Sequence, residues 1–282
     1  MNPIGVHLAL GGGDDKALAH AEWLGCSAVQ IFTHSPQSFQ FKPVDEPRLT
    51  QLRAGWKRLG IQTVVSHASY LINIAATENA KFHGAVAILR KELEYAAHYG
   101  CHYVVLHIGK HTTSTKEEGI AQVIKGIEKV ADIFTTHDIM LLLEGAAGQG
   151  TEIGAVFAEI DAVIKGLSKE TATHVGVCLD TCHLYASGHD IATQPKKIVQ
   201  EIEKTFGIAR VKVIHVNDSK FALGERKDRH EKLGQGHIGI EGLRAFLTLP
   251  DIKRLPMILE TPFDDQKEQM ADMDALRNIL GR

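Results

Sequence analysis

Six apolar runs of this sequence end in, or next to, a histidine or a carboxylate: 62-QTVVSH-67, 102-HYVVLH-107, 139-IMLLLE-144, 175-VGVCLD-180, 211-VKVIHV-216 and 256-PMILE-260. The side chains at issue are His67, His107, Glu144, Asp180, His215 and Glu260. An ionised carboxylate at the mouth of a hydrophobic segment costs free energy unless something pairs with it. Asp180, in 176-GVCLDTCHLYASGHD-190, therefore demands a partner. His183 follows it by one helical turn, and Asp228 and His230 stand as Asp-x-His, where alternating side chains of an extended segment reach one ion. Singly, each has an ordinary explanation: a strand-end acid can N-cap the next helix, and a strand-end histidine can bond a loop. Together they make nine oxygen and nitrogen donors, five His, two Asp and two Glu, with no thiolate among them. Such a set suits Zn or Mn. Nine donors exceed what one or two tetrahedral ions use, so the expected centre is multinuclear.

These side chains need a frame that brings strand ends together. Further apolar runs, 4-IGVHLAL-10 and 28-AVQIF-32, complete a set of eight. Continuous rather than alternating apolar strands predict burial on both faces, as in a parallel sheet. Between them lie helical spacings, among them 14-DDKALAHAEWLG-25, 80-AKFHGAVAILRKELEYAAHYG-100, 117-EEGIAQVIKGIEKVADIFTTH-137 and 266-QKEQMADMDALRNIL-280. Gly25, Gly60 and Gly100 are placed as C-caps. Eight strands alternating with about eight helices in 282 residues predict an α/β fold, a TIM (β/α)8 barrel, with its site at the C-terminal ends of the strands. A doubly wound open sheet is the alternative. It lacks a GxGxxG opening a helix, and 11-GGG-13 reads as a tight turn. No linker or low-complexity segment divides the chain, so 1–282 is expected to be one domain.

Composition narrows the classes. Lys and Arg total 31 against 34 Asp and Glu, a formal charge of −3, which by itself gives no argument for nucleic acid. Four cysteines, Cys26, Cys101, Cys178 and Cys182, form no CxxC pair and are expected to be buried free thiols; Cys178 and Cys182 flank Asp180 but are assigned to core packing. There is no secretory leader and no long apolar window, so the expectation is a soluble, cytoplasmic protein without membrane contact.

The chain resembles the endonuclease IV family of apurinic/apyrimidinic-site endonucleases over nearly its whole length. The resemblance rests on 5-GVHLALGG-12, 31-IFTHSPQSF-39, 66-SHASYLIN-73, 106-LHIG-109, 144-EGAAGQG-150, 177-VCLDTCHLYASGHD-190, 214-IHVNDSK-220, 228-DRHEKLGQGHIG-239 and 259-LETP-262. It implies a xylose-isomerase-like TIM barrel with three Zn2+ ions, Mn2+ being an alternative in part. One ion would lie on His67, His107 and Glu144. A second would lie on Glu144, Asp180, His215 and Glu260, with Glu144 bridging, and a third on His183, Asp228 and His230. It further implies hydrolysis of the phosphodiester 5′ to an abasic site in double-stranded DNA, leaving a 3′-hydroxyl, and trimming of blocked 3′ ends. Glu144 and Glu260 would be catalytic. Tyr70, Leu71, Arg229 and Lys220 would face DNA, and the enzyme would work as a monomer. Gln37 and Phe39 stand where the family often has a basic residue and a tryptophan. Lys110, in HIGKH, would compensate in charge.

Two other functions fit parts of the pattern. A metal-dependent sugar isomerase or epimerase uses strand-end His, Glu and Asp, but its one or two metals leave His183, Asp228 and His230 without a task. A DNA-damage binding protein that has lost catalysis would not need Glu144 and Glu260 intact.

Overall fold

The computed structural model describes residues 2–282. Its strands in chain order are β1 (Ile4–Leu8), β2 (Ala28–Ile31), β3 (Thr63–His67), β4 (Tyr103–His107), β5 (Met140–Glu144), β6 (Val175–Asp180), β7 (Val211–Val216), β8 (Asp218–Ser219), β9 (His230–Glu231) and β10 (Met257–Leu259). Eight of them close into a parallel barrel in the order β1-β10-β7-β6-β5-β4-β3-β2. The remaining two, β8 and β9, pair antiparallel as a small hairpin within a stretch expected to be loop. The architecture is thus the expected TIM barrel and not an open sheet. Glu260 lies one residue beyond β10 rather than closing it.

The strands are mostly apolar because both faces are covered. Their outer faces pack on the surrounding helices in one large core. Inside the barrel, Ala28, Val65, Val105, Leu142, Cys178, Val213 and Ile258 form a fully buried layer. Side chains alternate along a strand, so the residue two positions further on points inward one layer higher. Those residues are Gln30, His67, His107, Glu144, Asp180, His215 and Glu260. On β1, His7 stands in the same relation to Gly5. Every one of the eight barrel strands, or in the case of β10 the residue just past it, therefore delivers one polar side chain to a single layer. Register contributes: His107 pairs with Glu144, and a register shift between Val177 and Cys178 sets Asp180 opposite His215. Irregularities of this kind re-aim side chains beside functional sites.

The expected helix over 117–137 is two helices, Lys116–Glu128 and Ala131–His137. The Lys129 carbonyl, at the break, accepts a hydrogen bond from the Arg90 guanidinium at 2.6 Å, and Arg90 also clasps Asp132. Thr115 and Glu118 form a reciprocal capping box at the start of the first. Gly100 ends the helix Asn79–Tyr99 in the left-handed conformation, as a C-cap requires. All four cysteines are free and buried. Among the described residues, no helix is long and apolar enough to cross a membrane.

The barrel closes tightly where β1 meets β2. A Cβ added at Gly5 would lie 1.6 Å from the Ala28 carbonyl oxygen, a backbone atom that cannot swing away. Gly5→Ala is expected to destabilise the fold by roughly 3 kcal/mol or more, beyond ordinary overpacking. Chemical denaturation of the purified variant checks this; a midpoint equal to that of the parent chain would contradict the closeness of the two strands.

Candidate metal centre

The polar layer opens into a cavity of about 670 Å³ whose lining includes His7, His67, Tyr70, His107, Glu144, His183, Asp228, His230 and Glu260. Three sets of donor atoms come together there, each with its atoms within 4.8 Å of one another: His67, His107 and Glu144; Glu144, Asp180, His215 and Glu260; and His183, Asp228 and His230. Glu144 is common to the first two and is buried. Its Oε2 lies 3.2 Å from His67 Nε2 and 3.4 Å from His107 Nε2. Its Oε1 lies 2.8 Å from His215 Nδ1, which also lies 3.2 Å from Glu260 Oε2. In the third set, Asp228 Oδ1 is 3.2 Å from His183 Nε2 and 3.4 Å from His230 Nε2.

Three of the histidines are oriented from behind by backbone carbonyls. His67 Nδ1 donates to the Ala68 carbonyl at 2.8 Å, His183 Nδ1 to Gly145 at 2.9 Å, and His230 Nδ1 to Glu260 at 3.2 Å. A proton on Nδ1 leaves the Nε2 lone pair facing the cavity, which is the tautomer a metal ligand needs. The Nε2 atoms of His183 and His230 are buried without a hydrogen-bond partner. Buried polar atoms are normally satisfied, so these two orphans, converging on one carboxylate, fit a cation.

Asp180 answers to two tasks at once. It is the N-cap of the helix Thr181–Ser187, its Oδ1 accepting from His183 N at 2.8 Å. Its Oδ2 accepts from Asn217 Nδ2 at 2.6 Å and lies 3.6 Å from His230 Nε2. The capping explanation and the metal explanation are both satisfied by the same carboxylate.

Electrostatics carry the same signature. Burial alone would push the Glu144 carboxyl up, but His107, His215 and His67 outweigh it and hold it well below the usual range. Glu260 is held down against burial by His215 and His7. Asp228 falls to about 2 against burial through His183 and His230. Burial works against a charge on His183, yet Asp180, Asp228 and Glu144 raise it well above its ordinary value. His215 is raised against burial by Cys178, Glu260 and Glu144, and His67 against burial by Glu144. Without a cation, protons on imidazoles compensate the buried carboxylates. Burial pushes the thiols of Cys178 and Cys182 up to about 12, so neither supplies a thiolate although both stand close to donor sets.

The residues expected to face DNA lie at the rim. Tyr70 and Leu71 are 59% and 46% exposed, while Ile72 beside them is buried and anchors the loop. Beneath, Ser69 N donates to the buried carboxylate of Glu92 at 2.8 Å, and Ser69 Oγ to the Pro36 carbonyl at 2.6 Å, joining this loop to the one after β2. Tyr70 stands edge-on to Phe32 at 5.5 Å. Arg229 and Lys220 are exposed. Lys110 is paired with Glu152 at 3.3 Å, so its charge is already partly engaged. Sequence reasoning missed Gln30 and Asn217, and took His7, nearer the middle of its apolar run, only as a group that could stand behind the donors. Gln30 bonds His7, His215 and Glu260; Asn217 bonds Asp180 and accepts from Glu260 N at 3.2 Å. The available signal was Gln30 itself, a carboxamide in the apolar run 28-AVQI-31.

A family model described as a xylose isomerase-like TIM barrel matches residues 18–279. The chain is 33% identical over 280 residues to the probable endonuclease 4 of Methanoculleus marisnigri, covering 99% of each. The crystal structure of endonuclease IV from Thermus thermophilus superposes with a TM-score of 0.85 at 34% identity, covering 99% of both chains. A D-tagatose 3-epimerase-like protein superposes at 0.76 with 20% identity, covering 99% of this chain and 97% of that one, a likeness of fold alone.

The charge balance predicts how the metal-free chain responds to pH. His67, His183 and His215, raised above 6.5, stabilise it fully below that pH and stop doing so as pH climbs through their folded values. Glu144 and Glu260, lowered from 4.5, stabilise it above that pH and cease to as pH falls through their folded values. His7 and His107, held neutral by burial, oppose acidification below 6.5. Melting of chelator-treated protein should therefore shift to lower temperature as pH rises above 6.5, and excess Zn2+ should abolish the decline because a cation replaces the protons. A metal-free melting temperature that stays flat over that rise would contradict the balance.

Proposed function

The chain belongs to the endonuclease IV family of xylose isomerase-like TIM barrels and is a deoxyribonuclease IV enzyme, and from that premise we propose that it is a zinc enzyme cutting double-stranded DNA on the 5′ side of abasic sites and trimming blocked 3′ ends. The observation that carries this reading is the convergence of three donor sets on one cavity, two of them sharing Glu144. His67, His107 and Glu144 would hold one ion; Glu144, Asp180, His215 and Glu260 a second; His183, Asp228 and His230 a third. Mn2+ suits the same oxygen and nitrogen donors. When bound, such ions supply Lewis acidity, acidifying water and offsetting charge on phosphate oxygens.

The chain's own groups then have distinct tasks. Glu144 and Glu260 set two carboxylates on the inner side of the cavity, where the proton of an attacking water is accepted. His183, Asp228 and His230 stand on the outer side and position the phosphate. The exposed Tyr70 and Leu71 fill the gap left by a missing base, and an abasic nucleotide unstacks cheaply, which supplies selectivity. Arg229 and Lys220 meet phosphates. Three divalent ions would turn the formal −3 into +3, with the positive charge at the mouth. Residues 1–282 act as one domain, as a monomer in the cytoplasm. A one- or two-metal sugar epimerase would leave the third donor set unused.

The decisive assay is incision of a duplex carrying one abasic site, in magnesium-free buffer, with products sized against a 3′-hydroxyl marker. Cleavage immediately 5′ to the lesion is expected, reduced by Glu260→Gln roughly 100-fold or more. No incision by protein carrying its full metal complement would overturn the proposal in favour of sugar chemistry. Tyr70→Ala should raise KM for the abasic duplex roughly 10-fold, about the worth of one stacking contact; an unchanged KM would remove Tyr70 from the DNA interface.

A further inference from the structure

Gln30 is a carboxamide with no accessible surface in the middle of an apolar strand. Burying such a group is unfavourable unless all its hydrogen-bonding capacity is met. Its Oε1 lies 2.8 Å from His215 Nε2, and its Nε2 lies 3.0 Å from His7 Nδ1 and against Glu260 Oε1. We propose that Gln30 is a positioning residue of the metal centre: it fixes His215 with its proton on Nε2, aims the Nδ1 lone pair into the cavity, and holds Glu260 beside it. The proposal rests on the donor sets assigned above.

The direction of each hydrogen bond is forced. Glu260, within 3.2 Å of His215 and 3.8 Å of His7, is a carboxylate that only accepts. The Gln30 atom facing it must therefore be the amide nitrogen. The other atom is then the carbonyl oxygen, which cannot donate, so His215 Nε2 must carry the proton. The reversed carboxamide would set an oxygen against a carboxylate oxygen and an N–H against an N–H. The second amide hydrogen goes to His7 Nδ1, which places the His7 proton on Nε2. Only Nδ1 of His215 remains, 2.8 Å from Glu144 Oε1 and within reach of Glu260.

His215 differs in this from its neighbours. His67, His183 and His230 give Nδ1 to backbone carbonyls and offer Nε2. Their orientation is written into the chain trace. His215 offers the opposite nitrogen, and its backing is one side chain from another strand, five places away in the barrel's strand order on one side and three on the other. Removing the carboxamide strands an N–H of His215 and frees its ring to turn, while Glu260 loses its donor.

The experiment uses the full zinc-loaded chain and the near-isosteric Gln30→Met variant. Zinc release is followed against a graded series of chelator activities, alongside the metal-free melting temperature of each protein. One ion of the variant should leave at a chelator activity about 10- to 100-fold lower than in the parent, the others unchanged, which is the usual effect of losing a group that orients a ligand. Long-range nitrogen-15 spectra of the imidazoles in the unsubstituted chain should show His215 protonated at Nε2. A proton on Nδ1 of His215 overturns the proposal, and so do superimposable release curves from a folded variant. Should Gln30→Met fail to fold, the tautomer in the unsubstituted chain decides alone. A shifted release curve in an enzyme that does not incise abasic DNA would leave Gln30 in place and sink only the nuclease reading. Unshifted release with incision intact would do the reverse.

Discussion

One buried carboxylate sets the terms for the upper end of this barrel. Glu144 lies inside a ring of imidazoles, 1% exposed, with His67, His107 and His215 all within 3.4 Å. A charge so placed cannot be screened by water and is tolerable only with compensation close at hand. The surrounding layer is organised around supplying it. His67, His183, His215 and His230 are each held from behind by a carbonyl or a carboxamide, and Glu144 and Asp228 are each shared by more than one ring. Protons do this service when no cation is present, and cations do it better, since one ion satisfies several carboxylates and lone pairs together. The same arrangement that makes the layer awkward to bury makes it one that could hold metal ions.

The donors come from two kinds of support. His67, His107, Glu144, Asp180 and His215 sit on barrel strands, and Glu260 one residue past its strand, so their relative positions are fixed by the sheet's hydrogen bonding. His183 rides on the first turn of a short helix, Asp228 lies in the arm between β8 and β9, and His230 opens β9. The hairpin is braced in turn: Asp218 on β8, fully buried, accepts from the backbone N–H groups of Gly234 and Ile238 in the segment that follows β9, both at 2.9 Å. A rigid inner pair of donor sets and a braced outer one suit a reaction in which the attacking group is generated at a fixed place while a large polymer must be admitted from outside.

Much of this was legible in the sequence because a parallel barrel writes its active layer into strand endings. An apolar run that stops on His, Glu or Asp is conspicuous, and Asp180, His183, Asp228 and His230 are spaced for one site. Gln30 was not legible as a member of the layer, and His7 only as a group that could stand behind the donors. Their strands continue past them in apolar residues, Ile31 and Leu8, so neither marks an ending. Their membership follows from the inward phase of the strand, two residues beyond Ala28 and Gly5, which depends on register between strands and not on composition. The hairpin of β8 and β9 was hidden for a similar reason: two pairs of residues suffice to form it, too few to show a period. The helix over 117–137 has a continuous helical spacing in sequence, and its break coincides with a carbonyl taken by Arg90, 39 positions away.

Asp180 carries a lesson about descent. As the N-cap of Thr181–Ser187 it serves the fold, and as a member of the inner donor set it would serve the proposed chemistry. Asn, Ser or Thr would cap the helix nearly as well. A lineage that gave up the reaction could replace Asp180 by any of these and keep a sound barrel, whereas selection would cease to hold His183, Asp228 and His230 to their types at all. In such a lineage the capping position would drift slowly within a narrow alphabet while the outer donor set eroded first. Under the proposed roles the outer trio would be the better marker of a living enzyme, and the residue that looks most indispensable in the sequence would be the one whose persistence says least about activity.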